Sequence, residues 1–425
     1  MIKKSIALVR EDTFLKNNVI FFLGSIVIAF LNYLYHPIMS RLLTVEEFGE
    51  VQTIFSLVFL SGVVMTVFNR IVLHIASNSE HDGLPGERAL ISNAASIPGL
   101  YTAALAVQLP FVFFLVIASP AISRFFAFET SWSFSVFAVA LLLTVPATFY
   151  GAYLQGKSEF MALSLSQAIS AGGKLALAIL LVVLGMGVFG AIGALAIASF
   201  IAILYMRSRS KGFALSLVSF KQMVYAIKKE ISYGILILLS LGLVTFLYSA
   251  DVLVIKRLFS PEVAGMYSGV ATIARIIFFG TASVGAVLLS SIKIHNTAEQ
   301  NRTILKKGFL YVGVLGGGAF LIFALFPAQI ITLLIGAKYA PLAYLLPLFS
   351  LSSLLVSFLS LFVTYLLALR SRALIPVSVV GFIAVFVLIA TNHSTPGTIV
   401  FDFAASTAFT LVLLASSLHF FKKSI

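Results

Sequence analysis

Two basic residues stand where the surrounding sequence is almost wholly apolar: Lys174 in SAGGKLALAILL and Arg275 in GVATIARIIFFG. A charge at the centre of a bilayer disfavours insertion by about 2.5–3.5 kcal/mol, so such a residue is expected to face a cavity or a partner rather than lipid. Helical spacing extends each into a polar stripe. Gln167, Ser170 and Lys174 fall at i, i+3, i+7, and Ser268, Thr272 and Arg275 at i, i+4, i+7. Two more stripes run through Ser25, Asn32 and His36 and through Thr66, Asn69 and Arg70. Arg70 lies near the end of its apolar run, where snorkelling to headgroups competes with a place in a cavity. Together these faces suit one water-filled cleft. Cations lining a cleft select anions, and a guanidinium offers a planar donor fork that matches phosphate oxygens. The expected ligand is therefore anionic.

Acids are scarce in the same stretches. Asp251 and Asp402, near the ends of their runs, are the two candidates for binding a coupling ion, a proton or sodium. For Asp251 the plainer expectation is a surface pair with Lys256 or Arg257, one to two turns away. The depth of Arg275 argues against its pairing with either acid. The absence of cysteine excludes thiolate metal sites and cysteine nucleophiles. No paired carboxylates, histidine cluster or nucleophile elbow occurs in a loop long enough to build a soluble catalytic site, so neither an enzyme nor a cofactor is expected. GMGVFG at 185–190 matches a dinucleotide fingerprint but follows no strand, and reads as a tight turn between helices.

The elements that would position these residues follow from composition. With 60% hydrophobic and only 10% charged residues and a mean hydropathy of +1.09, the chain is a membrane protein. Its runs are of helix length, not the roughly ten-residue alternating segments of a barrel. About twelve spans are expected, near 18–36, 51–73, 91–118, 133–155, 162–184 and 187–206, then 231–254, 264–290, 308–326, 342–369, 373–391 and 398–420. Pro98, Pro110, Pro146, Pro347 and Pro376 fall inside them as candidate bends.

Of the 28 lysines and arginines, five (Arg41, Arg124, Lys256, Arg257, Lys338) fall in the links on one side, three inside spans, and the remaining twenty on the other side. That bias places both termini in the cytoplasm and accounts for the net charge of +13 without a nucleic-acid partner. The predicted organisation is a cytoplasmic segment 1–17 suited to an interfacial helix, a six-helix bundle 18–206, a basic linker 207–230, a second bundle 231–420 and a tail 421–425.

The halves are related. SRLLTVEEFGEV at 40–51 recurs as KRLFSPEVAGMY at 256–267, with Arg41, Leu42, Thr44, Glu46 and Gly49 on Arg257, Leu258, Ser260, Glu262 and Gly265. An even number of spans per half predicts repeats related by a pseudo-two-fold axis along the membrane normal. The repeated motif itself is expected to be structural, ending one helix and starting the next.

NYLYHPIMSRLLTVEEFGEVQ at 32–52, DVLVIKRLFSPEVAGMYSGVATIAR at 251–275 and GAKYAPLAYLLPL at 336–348 resemble the polysaccharide exporters and lipid-linked oligosaccharide flippases of the multidrug/oligosaccharidyl-lipid/polysaccharide superfamily. The resemblance implies two six-helix bundles that alternate between inward-open and outward-open states. It implies a cationic cavity, here assigned to Lys174, Arg275 and Arg70 with Gln167, Thr272 and Asn32. The implied activity is translocation of an undecaprenyl-diphosphate-linked glycan, such as an O-antigen, capsule or exopolysaccharide unit, across the bacterial inner membrane. The implied partners are that lipid-linked glycan, membrane lipids, and polysaccharide polymerase and chain-length proteins. Two other readings stay open: a drug/cation antiporter of the same superfamily, disfavoured by the sign of the mid-membrane charges, and a membrane-embedded glycan polymerase or ligase. The latter is disfavoured by external links of about 12–16 residues.

Overall fold

A computed structural model describes residues 13–78, 86–292 and 297–420. The interfacial segment expected before residue 13 and the tail 421–425 lie outside the described residues. Among the described residues every regular element is helical. Ten stretches are long and apolar enough to cross a membrane, and one of them, Phe160–Arg209, holds two helices. With the apolar 30-residue helix Thr13–Leu42 this makes the twelve spans expected. Large apolar side chains left on the outside, such as Phe113, Val183 and Leu315, suit lipid as their solvent.

The chain forms two compact units, the described part of Met1–Leu43 with Val64–Ile231, and Thr44–Val63 with Ser232–Ile425. The first unit holds α1 (Thr13–Leu42), α2 (Val45–Asn78) from Val64 onward, α3 (Gly86–Ile117), the short α4 (Ser119–Phe125), α5 (Trp132–Gly156), α6 (Phe160–Leu181) and α7 (Gly187–Arg209). α6 and α7 are joined by one π-turn, Val182–Met186, in which Gly185 takes φ +85° and is followed by Gly187 at φ +45°, values that glycine adopts without a Cβ clash. The GMGVFG match is thus a turn. α1 and α7 both pack along α6, and small residues set the distance. A Cβ on Gly24 would stand 3.4 Å from Ser164, and one on Gly173 would stand 3.4 Å from Ala198.

The linker is shorter and better fastened than a basic tether. α7 runs to Arg209 and α8 (Phe220–Ser249) begins at Phe220, leaving only 210–219 outside helices. Phe213 stacks on Tyr153 at 4.1 Å and 8°, and Val218 N donates to Thr102 Oγ1 at 3.1 Å. Two apolar side chains in this stretch, Phe213 and Leu215, pack on the core of the first unit.

The second unit holds Val45–Val63 of α2, α8 from Ser232, the short α9 (Asp251–Leu258), α10 (Pro261–Ala274), α11 (Ile276–Ser291), α12 (Ala298–Leu325), the short α13 (Pro327–Leu334), a 3-10 stretch Ala337–Leu345, α14 (Leu346–Ala368), α15 (Leu374–Thr391) and α16 (Pro396–Phe420). Residues 44–63, within the stretch 18–206, therefore pack with the second unit.

The repeated motif explains this. Thr44 and Glu47 form a reciprocal cap, Thr44 Oγ1 accepting from Glu47 N at 3.1 Å and Glu47 Oε2 from Thr44 N at 2.9 Å. Ser260 Oγ caps α10 by accepting from Val263 N at 3.4 Å, with Pro261 at the first helical position. The two helices thus started meet through their equivalent glycines. A Cβ on Gly49 would fall 2.8 Å from Gly265 Cα, and one on Gly265 would fall 2.0 Å from the Val45 carbonyl oxygen. Only glycine allows backbones this close.

Two details differ from the expected bends. Pro98 and Pro110 lie within α3 and Pro146 within α5, but Pro347 and Pro376 sit in the first turns of α14 and α15, where a missing N–H leaves no bond unmade. Pro37 instead lies inside α1, which continues through it to Leu42.

Candidate substrate-binding site

In the first unit, Lys174 is 5% exposed. Its Nζ donates to Asn32 Oδ1 at 2.8 Å and lies 4.8 Å from the centroid of the Tyr35 ring. Asn32 Nδ2 donates one turn back to the Ile28 carbonyl at 3.0 Å, which turns the amide oxygen toward the lysine. Tyr35, fully buried, donates its hydroxyl to the Ala191 carbonyl of α7 at 3.0 Å. Three helices therefore converge on one cation, and the groups at these distances, an amide oxygen and a π face, are neutral. Gln167, two turns earlier on α6, is exposed, and Ser170 is half-buried. Arg70 is half-buried and forms no ion pair with a described acid.

In the second unit Arg275 is 8% exposed and is not a lone charge. Its Nη2 lies 2.5 Å from Asp251 Oδ1, and Tyr267 donates its hydroxyl to Asp251 Oδ2 at 3.2 Å. The expectation that depth would keep Arg275 from an acid is therefore wrong, and the partners of Asp251 are Arg275 and Tyr267 rather than Lys256 or Arg257. The reason is the hairpin's geometry. Asp251 lies nine residues before Ser260 and Arg275 fifteen after it, a difference of about 9 Å in helix rise. Side chains lean toward the N-terminus of their helix, and an extended arginine spans what remains. Both helices are also interrupted at the pair, α8 giving way to α9 at Ala250 and α10 to α11 at Arg275.

Beside the pair is a cavity of about 20 Å3 lined by Tyr248, Asp251, Arg275, Ser352 and Ser353 among others, room for about one water. Thr272 lies on the same stripe, buried, its Oγ1 donating to the Ser268 carbonyl at 2.7 Å and standing 3.3 Å from Gln52 Oε1. Asp402 on α16 is fully buried. Asn392 Nδ2 donates to its Oδ1 at 3.3 Å, while its Oδ2 and Ser406 Oγ, one turn on, are buried without a hydrogen-bond partner among the described residues. No group of three or more His, Asp or Glu residues suited to a metal occurs among the described residues.

Spacing alone missed Tyr35, whose ring faces Lys174, Tyr267, which braces Asp251, and Gln52, which faces Thr272. A tyrosine in an apolar helix reads as core, and Gln52 was visible only as the one neutral amide in the first two turns of α2.

The fold defines a multi-pass, all-α membrane protein built of two compact helical units. The family described as "Polysaccharide biosynthesis protein" matches residues 14–292, and the chain belongs to it. Solved structures share the fold. The chain is similar to "Lipid II flippase MurJ, inward closed conformation", with a TM-score of 0.75 at 11% identity, over 94% of this chain and 87% of that one. It is also similar to the eukaryotic MATE transporter AtDTX14, with a TM-score of 0.66 at 14% identity, over 96% of both chains. A third is the MATE multidrug transporter DinF-BH, with a TM-score of 0.64 at 16% identity, over 94% of this chain and 93% of that one. No curated protein matches the sequence.

Proposed function

We propose that the protein is a flippase that translocates an undecaprenyl-diphosphate-linked oligosaccharide across the bacterial inner membrane by alternating access, its termini cytoplasmic. The observation that carries this reading is Lys174, a buried cation within the membrane held by an amide oxygen and a ring face, in a chain of the polysaccharide biosynthesis family. An ammonium carries three N–H donors and a full positive charge, which suits a diphosphate or an acidic sugar. Arg275 contributes differently. The pair with Asp251 uses Nη2, and the guanidinium has further N–H donors to offer an anion. Asn32, Gln167, Thr272 and Arg70 are the polar groups assigned to glycan hydroxyls and acids along the way. No bond is broken in such transport.

For coupling, Asp402 is the better of the two acids, because Asp251 is engaged by Arg275. A buried carboxylate with one oxygen unsatisfied and a hydroxyl one turn away suits a proton or a sodium ion. Polymerase and chain-length proteins remain the proposed partners.

The test is translocation in proteoliposomes of undecaprenyl-diphosphate glycans, with and without proton and sodium gradients. Transport is expected for wild type and lost in Lys174→Ala, with the variant still inserted. Transport of a cationic dye with none of any diphosphate lipid would establish the antiporter instead.

A further inference from the structure

Next to the Asp251–Arg275 pair lies a group of aromatic rings that the transport reading does not use. Tyr248 of α8 stacks on Phe278 at 4.8 Å and meets Phe59 edge-on at 5.5 Å. Phe279 stands 6.2 Å from both Phe59 and Tyr248 and 5.5 Å from Phe278. α2, α8 and α11 thus supply one continuous aromatic surface. It is open: Phe279 is 51% exposed, Phe59, Phe278 and Tyr248 are half-buried, and a Cβ on neighbouring Gly280 would meet nothing within 4 Å.

The plain explanation of exposed phenylalanines in such a chain is contact with lipid. Helical register argues against it here. Phe59 lies seven residues from Gln52 on α2, Phe279 lies between Arg275 and Ser283 at four-residue steps, and Tyr248 lies three residues from both Thr245 and Asp251. Each ring therefore shares its face with polar or charged residues, whereas a lipid-facing stripe would be apolar throughout.

We propose that Phe59 and Phe279, with the Tyr248 hydroxyl at their edge, form a sugar-stacking platform, on which a pyranose ring of the transported glycan lies while Arg275 meets an acidic group or phosphate beside it. The inference rests on the function proposed above and specifies where the saccharide, as opposed to the diphosphate, is held. The C–H face of a pyranose is weakly positive and apolar, and it packs on the negative face of an aromatic ring. A quaternary or protonated amine would bind aromatic rings through cation–π attraction, but here it would be repelled by the Arg275 guanidinium, which already lies 5.9 Å from the centroid of Tyr248. The Tyr248 hydroxyl makes no hydrogen bond to a described residue and offers one to a sugar hydroxyl.

The experiment measures binding to the full chain in lipid nanodiscs, with undecaprenyl diphosphate and with undecaprenyl diphosphate bearing an acetamido-sugar trisaccharide. Phe59→Leu and Phe279→Leu should each weaken the sugar-bearing lipid about fivefold and leave the bare diphosphate unchanged, while Phe279→Trp should retain wild-type affinity. Equal weakening of both lipids, or of neither, would overturn the platform. So would tight binding of a cationic dye that is lost in the same variants. Wild-type protein that binds neither diphosphate lipid would overturn the flippase reading and the platform with it.

Discussion

Lys174 and Arg275 look alike in sequence, each a single cation ending a polar stripe in an apolar helix, yet the two units hold them by different means. Lys174 is held by the amide oxygen of Asn32 and the face of Tyr35. Arg275 is tied to a carboxylate that is itself braced by Tyr267. An amide oxygen or a ring face orients a charge without cancelling it, whereas the carboxylate beside Arg275 cancels most of that residue's field. The first arrangement is the one for which anion binding is proposed; the second ties the start of α9 to the end of α10. A buried ion pair contributes little net stability, but removing one member strands the other. The two sites should therefore respond differently to loss of a partner.

The largest effect is expected at Asp251. Asp251→Ala leaves Arg275 buried and unpaired, at a cost of about 3–5 kcal/mol in denaturant titrations of the protein in mixed micelles. Adding Arg275→Met to that variant should recover most of the loss, because two apolar groups replace the pair. If the single variant is as stable as wild type, Arg275 has another means of neutralisation and the contrast between the units collapses.

Asn32→Ala tests the other side. It removes a hydrogen bond to a charged group, worth about 1.5–3 kcal/mol, but takes no opposite charge away from the buried cation. Stability should fall less than in Asp251→Ala, and transport of diphosphate glycans should fall more than stability does. Measuring both in one lipid mixture sharpens the comparison. Equal destabilisation at the two positions would mean that Lys174 is as structural as Arg275.

The twelve spans were legible in the sequence because a bilayer demands long apolar runs and this chain supplies them, interrupted by charge at the links. The burial of Lys174 and Thr272 was to be expected, because a polar or charged group in an apolar membrane helix is placed against protein and not lipid. What could not be read was contact across a hairpin. The pairing of Arg275 with Asp251 depends on how two helices slide past one another and on the lean of side chains, and neither leaves a mark in spacing. Likewise Phe213 and Leu215 sit among basic residues in a segment that reads as a tether, and only packing against Tyr153 and Thr102 turns it into a fastened strap. The repeat was visible in sequence as a duplication, but the meeting of Gly49 with Gly265 was not, since a glycine needed for a turn and one needed for close approach look the same.

The smallest effect belongs to the caps that start these two helices. Thr44 and Ser260 occupy equivalent places in the repeat, but Thr44 makes a reciprocal pair with Glu47 at 2.9 and 3.1 Å, whereas Ser260 accepts one longer bond at 3.4 Å and leans on Pro261 to preset the first turn. Thr44→Ala should cost about 1 kcal/mol and Ser260→Ala less, both measured by thermal unfolding in detergent. The order matters more than the size. Proline already supplies the helical φ at the start of α10, so its cap is partly redundant, while α2 has only its side chains to hold the first turn against Gly265. If Ser260→Ala is the more damaging, the hairpin that carries Arg275 depends on its cap more than on its ion pair, and the contrast between the two cations would have to be sought in the turn at 259–260 instead.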